Sequence, residues 1–290
     1  MGKFILSAFA DEIDQDLTVQ MDVLEKHDIN YIEMRGVNGK NIVEYSLDEV
    51  KTIKGKLDER GFKISAIGSP IGKIMIEDDF RPHLELFKHT LEIAKILETR
   101  YIRMFSFYIP NGEEASKYRD EVLSRWNRFV DAAKDTDIIL LHENEKGIYG
   151  DTAERCLDLL ENLDNKRVKA IFDPANFIQC DVETYPYAFE LLRDYIEYMH
   201  IKDARFSDHE VVPSGKGDGK IKEILTELYN MGFEGFLSIE PHLANFVGFS
   251  ELEKRDVGSD ISDEGEKAFA IATHALKEIL SSIESDDRYE

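Results

Sequence analysis

Ile138-Ile139-Leu140-Leu141-His142-Glu143-Asn144 decides how the chain folds. Four aliphatic residues in a row run into a polar corner, the pattern of a strand buried on both faces where it leaves a parallel sheet. Three later stretches end in the same way: Val168–Phe172 runs into Asp173, Ile196–Met199 into His200, and Phe236–Ile239 into Glu240. Consecutive strands thus deliver Glu, Asp, His and Glu to one rim. Ordinary acidic strand ends meeting solvent would account for any one of them. The succession of all four points to a metal site. Carboxylates with a neutral imidazole form an oxygen and nitrogen donor set suited to one divalent ion, whether manganese, cobalt, zinc or magnesium, and the absence of nearby thiolates argues against soft metals.

Upstream, Phe4–Ala8, Tyr31–Met34, Lys63–Ile67 and Tyr101–Phe105 read as the first four strands. Helices are expected over Leu17–His27, Leu47–Arg60, a segment from Asp79 to Leu97, and Lys117–Lys134. The Leu47 helix is capped by Ser46 and ended by Gly61. Asp151-Thr152-Ala153-Glu154 opens a helix to Leu160 in the manner of a capping box. Pro186–Leu192, Ile221–Met231 and about Glu264–Ser282 complete the series. Strands alternating with helices eight times argue for a closed parallel (β/α)8 barrel, an α/β fold whose active site lies where the strands end. A doubly wound open sheet is the alternative, but no GxGxxG follows the first strand. One domain is expected over residues 1–284, with a polar loop at Asn245–Ser262 and an acidic tail, Ser285–Glu290.

Composition narrows the partners. The 290 residues carry a formal net charge of −23, a surface that repels nucleic acid and anionic membrane. No apolar run is long enough to span a bilayer. Cys156 and Cys180 form no CxxC pair, and the start lacks a long apolar segment, which together fit free thiols and a cytoplasmic protein. A homo-oligomer is left open.

The motifs Leu141-His142-Glu143-Asn144, Phe172-Asp173-Pro174-Ala175-Asn176, Met199-His200-Ile201-Lys202-Asp203 and Ser238-Ile239-Glu240-Pro241-His242, in this order at strand ends, resemble the sugar phosphate isomerase/epimerase superfamily. These are the xylose-isomerase-like TIM barrels that also include endonuclease IV. The resemblance covers nearly the whole chain. It implies Glu143, Asp173, His200 and Glu240 as ligands of one divalent metal ion, and Glu143 and Glu240 as the acid/base pair. It also implies a small carbohydrate or cyclitol substrate, a hydroxy-ketone converted through an enediolate. One departure is Asn176, where many members carry a histidine; an amide hydrogen-bonds a hydroxyl or carbonyl but shuttles no proton near pH 7.

Asn176, Lys202, Arg205 and His242 are the candidate substrate contacts. The run His-Ile-Lys-Asp-Ala-Arg also resembles the family's inosose dehydratases. Arg35, Ser69, Lys73 and Arg103 lie at other strand exits as weaker candidates. Gly215–Gly219 has the composition of a phosphate cradle, or of a plain flexible connection. His142 is expected to point away from Glu143 by strand alternation and to pack in the core. Isomerisation, epimerisation and dehydration share these ligands. An endonuclease would need further histidines that the strand ends do not supply, and the intact acid/base pair that the resemblance implies argues against a catalytically silent metal-binding barrel.

Overall fold

In the computed structural model, residues 2–163, 166–243 and 262–286 are described. Eight parallel strands close a barrel: β1 Lys3–Ala8, β2 Tyr31–Met34, β3 Lys63–Ile67, β4 Tyr101–Met104, β5 Ile139–Glu143, β6 Val168–Phe172, β7 Ile196–Ile201 and β8 Glu234–Ile239. Each strand pairs with its neighbours in sequence, and β8 closes onto β1 with Lys3 opposite Glu234 through Ala8 opposite Ile239. The open-sheet alternative is thereby excluded.

The helices are α1 Leu17–Lys26, α2 Leu47–Glu59, α3 Phe80–Ile96, α4 Arg119–Ala133, α5 Ala153–Asn162, α6 Pro174–Ile178, α7 Phe189–Leu192, α8 Ile221–Asn230 and α9 Ser262–Asp286. Ser46 and Glu49 form a reciprocal capping box at α2, and Thr152 caps α5. The Asn245–Ser262 loop lies, but for its last residue, outside the described residues. The last helix reaches Asp286, so two residues of the expected tail are helical and the rest lie outside the described residues. Two short hairpins, Gly36–Val37 with Lys40–Asn41 and Asp203–Ala204 with Val211–Val212, stand at strand exits where loops were expected.

Alternation sorts the side chains. Ile32, Met34, Leu140, Phe172, Met199 and Ile201 join the large core between sheet and helices, whereas Ala66, Ile139, Leu141, Ile171 and Tyr198 form a separate cluster inside the barrel. The inward face continues upward as Glu143 on β5 and His200 on β7, so this buried cluster lies directly beneath the polar rim. Outward-facing His142 packs edge-on against Trp126 and bonds Ser106 Oγ at 3.0 Å, away from the mouth as expected.

His83, on α3, accepts the Gly72 N–H at Nε2 and must be neutral at that nitrogen. Burial, with the Arg125 charge nearby, lowers its pKa from 6.5 to about 4. The unfolded imidazole therefore binds its proton near 6.5 and the folded one only near 4, so stability falls as pH drops through this window. Between pH 6.5 and 5 the loss from this residue is about 2 kcal/mol. Urea midpoints at the two pH values check it, and His83→Gln should show a smaller drop than the native chain.

Candidate metal centre

The sequence around each ligand explains its aim. On β5, Ile139, Leu141 and Glu143 share the inward face. Asp173 follows β6 and caps α6, taking the Asn176 backbone N–H at Oδ1, with Pro174 in the first helical turn. That cap leaves Oδ2 turned to the barrel mouth. Asn144 ties the two exits together, donating from Nδ2 to the Asp173 carbonyl and accepting the Asp173 N–H at Oδ1, both at 2.9 Å.

Glu143, Asp173, His200 and Glu240 converge, each offering one ligand atom within 4.8 Å of the others, and all four are buried. His200 Nδ1 lies 3.0 Å from Glu143 Oε1, 3.6 Å from Asp173 Oδ2 and 3.7 Å from Glu240 Oε2. Asp173 Oδ2 accepts no directed hydrogen bond, although Lys202 Nζ stands 2.9 Å away. A buried carboxylate oxygen in that condition, aimed at three other donors, is what a cation ligand requires. The three oxygens and one nitrogen fit a single divalent ion with positions left for substrate oxygens.

Four cationic or amide groups hold these carboxylates. Lys202 Nζ bridges Asp173 Oδ2 and Glu240 Oε2, each at 2.9 Å. Arg103 donates to Glu143 Oε2 at 3.2 Å, and Asn176 Nδ2 donates to Glu143 Oε1 at 3.1 Å. Arg35 reaches Asp11, Glu12 and Glu240. Phe9 packs under both guanidiniums, 4.5 Å from Arg35 and 4.9 Å from Arg103 to the ring centre. Burial alone would raise Glu143, but His200 and Arg103 overcome it and bring its carboxyl down to about 2. Against the same burial, Lys202 and His242 hold Glu240 well below the usual carboxylate range. Lys202 is held well above its ordinary value because Asp173 and Glu240 outweigh its desolvation. Both glutamates are therefore held in the ionised form, the form in which a carboxylate binds a cation.

Of the sequence-derived contacts, Asn176, Lys202 and His242 are brought to the centre. His242 Nδ1 lies 3.5 Å from Glu240 Oε1 and 3.7 Å from Glu12 Oε1. Arg205 is not: at Ala204 the chain turns into a hairpin, and its guanidinium binds Asp208 and Glu210 at the surface. The phosphate-cradle reading of Gly215–Gly219 also falls. The N–H groups of Gly215, Gly217 and Gly219 all donate to the Asp203 carboxylate, so this nest is filled by the chain itself. Ser69 binds the Arg103 carbonyl and Lys73 pairs with Glu145.

Glu12, Glu240 and His242 form a second convergent group. This group shares Glu240 with the first, and the Arg35 guanidinium lies 3.1 Å from Glu12 and 3.4 Å from Glu240. Sequence reasoning assigned no role to Glu33 or Asn144 and had no sign that Arg35, a weaker substrate-contact candidate there, pairs with Asp11 and Glu12. Glu33 had a signal, a carboxylate inside the otherwise apolar Tyr31-Ile32-Glu33-Met34.

The model of the xylose isomerase-like TIM barrel family matches residues 21–262, and the chain belongs to that family. An uncharacterised protein of Methanocaldococcus jannaschii is 27% identical over 173 residues; the match spans 54% of this chain and 56% of that protein, little more than half its length. Among solved structures, a D-tagatose 3-epimerase-like protein superposes with a TM-score of 0.71 at 20% identity, covering 97% of this chain and 99% of the other. The IolI protein with a bound zinc atom superposes with a TM-score of 0.72 at 17% identity, covering 97% and 99%. At these identities the superpositions establish the shared fold.

Proposed function

We propose that the protein is a divalent-metal-dependent epimerase or isomerase of a small sugar or cyclitol ketone, with Glu143 and Glu240 as its acid/base pair. The observation that carries this reading is the convergence of four buried ligand-type groups from four consecutive strand ends, with one carboxylate oxygen lacking a hydrogen bond. The family, the epimerase-like relative and the zinc-bearing relative support it.

Glu143, Asp173, His200 and Glu240 would hold a divalent cation, which would supply the Lewis acidity that makes the C–H next to a ketone acidic. The remaining work belongs to the chain. Glu143 and Glu240 end β5 and just follow β8, with the strands of Asp173 and His200 between them. A substrate lying across the mouth has one glutamate on either side of its reacting carbon. One carboxylate takes the proton from one face, and the other returns a proton to the opposite face, inverting the stereocentre. Return to the neighbouring carbon isomerises instead. Asn176 and Arg103 hold the Glu143 carboxylate in place, and Lys202 and Arg35 hold Glu240.

A panel of ketoses, ketose phosphates and keto-cyclitols, incubated in D2O with the Mn2+- or Co2+-loaded protein, tests the proposal. Metal-dependent deuterium incorporation at the carbon next to the carbonyl, with a new stereoisomer or positional isomer, is expected for at least one compound. A product that has lost water and gained conjugated ultraviolet absorption would replace this reading with a dehydratase. Absence of both across the panel would leave the protein without the proposed activity.

A further inference from the structure

Glu33 is fully buried in the middle of β2. Its flanking residues Ile32 and Met34 face the helices, so its own side chain faces the barrel interior. The β2–β3 register shifts at this point: Ile32 lies opposite Ile64, but Glu33 lies opposite Ala66. Such an irregularity re-aims a side chain within a sheet. The carboxylate reaches across the barrel to His200, with Oε2 and Oε1 at 3.2 and 3.3 Å from Nε2. Arg103 Nε is 4.0 Å away, too far for a hydrogen bond. Burying a carboxylate so deeply, with one imidazole in hydrogen-bond reach and a guanidinium 4.0 Å off, costs stability unless the contact is well made, and the structure places it on the one nitrogen that faces away from the ligand cluster. The Phe9 ring packs edge-on against the imidazole at 5.1 Å and Tyr198 does so at 6.0 Å, so the ring is clamped from its sides as well.

We infer that Glu33 is a positioning residue for the metal centre: it keeps the proton of His200 on Nε2 and so presents the Nδ1 lone pair to the cation. This rests on the cation site proposed above. The tautomer and ring direction of a metal-binding histidine are set by what its other nitrogen donates to, and removing such a partner costs about 10–100-fold in metal affinity. Reach and acceptor character are therefore what matter at position 33, more than charge.

Two variants separate these. Glu33→Gln keeps the length and one acceptor oxygen but loses the charge, whereas Glu33→Asp keeps the charge and shortens the reach by one methylene. Calorimetric titration of the full chain with Co2+ alone, with the visible spectrum of the bound ion, gives a readout independent of turnover. Glu33→Asp should weaken Co2+ binding about tenfold or more and alter the ligand-field bands, while Glu33→Gln should stay within about threefold of the native chain and keep its spectrum. Weaker binding by Glu33→Gln than by Glu33→Asp would show that charge decides and would overturn the inference, as would native affinity and spectrum in both. Should Glu33→Asp fail to fold, Glu33→Ala, which removes the acceptor outright, takes its place with the same expected loss of about tenfold or more, and native affinity and spectrum in it would overturn the inference. A native chain that binds no Co2+ would instead defeat the underlying site assignment.

Discussion

Glu143→Gln and Glu240→Gln, each with its metal content verified, are expected to lose at least about a hundredfold in turnover, at the lower end of what acid/base catalysis contributes. Glutamine is the informative replacement because it keeps one oxygen donor toward the cation while removing the base. Asn176 and Arg103 donate to the Glu143 carboxylate, and the glutamine would keep one acceptor oxygen for them, so the fold should tolerate the change. Glu240 sits between Lys202 and Arg35, and the same holds there. Solvent deuterium entering the substrate in the native chain should fall with turnover in both variants. A metal-loaded Glu143→Gln chain with near-native turnover on the true substrate would remove that residue from the proton path.

The second large effect is expected at Asp203. Its carboxylate accepts N–H groups from Ala204, Gly215, Gly217 and Gly219, pinning the loop that leads from β7 to α8. Burial pushes the carboxyl up, and the backbone donors partly offset it. The glycines are required by this contact: a Cβ at Gly217 or Gly219 would come within 2.3 or 2.7 Å of Asp203 Oδ1. Asp203→Ala leaves buried donors without an acceptor, each costing about 1–3 kcal/mol less whatever water recovers. A net loss of about 3 kcal/mol is expected in urea unfolding. Because Lys202 is the adjacent residue and bridges Asp173 and Glu240, turnover should fall too. An unchanged unfolding midpoint would show that the loop is held by other contacts.

Most of the barrel was legible because its strands are buried on both faces. Tyr31–Met34, Lys63–Ile67 and Val168–Phe172 stand as their apolar runs and flanking turns implied. The four-group cluster was legible for a related reason: in a parallel barrel all strands end on one face, so a ligand-type residue after each run has one place to go. What was not legible depends on long-range pairing or on local turns. Arg35 meets Asp11, Glu12 and Glu240 across separations of 23 to 205 residues, and no spacing rule reports such contacts. Arg205 stood in a suggestive run after His200, but the hairpin beginning at Asp203 carries its side chain to Asp208 and Glu210. The glycine run offered free N–H groups on paper, and Asp203, twelve residues before its first glycine, consumes them.

The central claim is that Glu143, Asp173, His200 and Glu240 hold one divalent cation at the mouth of the barrel. A crystal of the protein soaked in Mn2+ and measured for anomalous scattering tests it most directly. One strong peak is expected, with an oxygen or nitrogen donor from each of the four residues at about 2.0–2.6 Å. A peak bound elsewhere, or none at the four residues at saturating Mn2+, would contradict it.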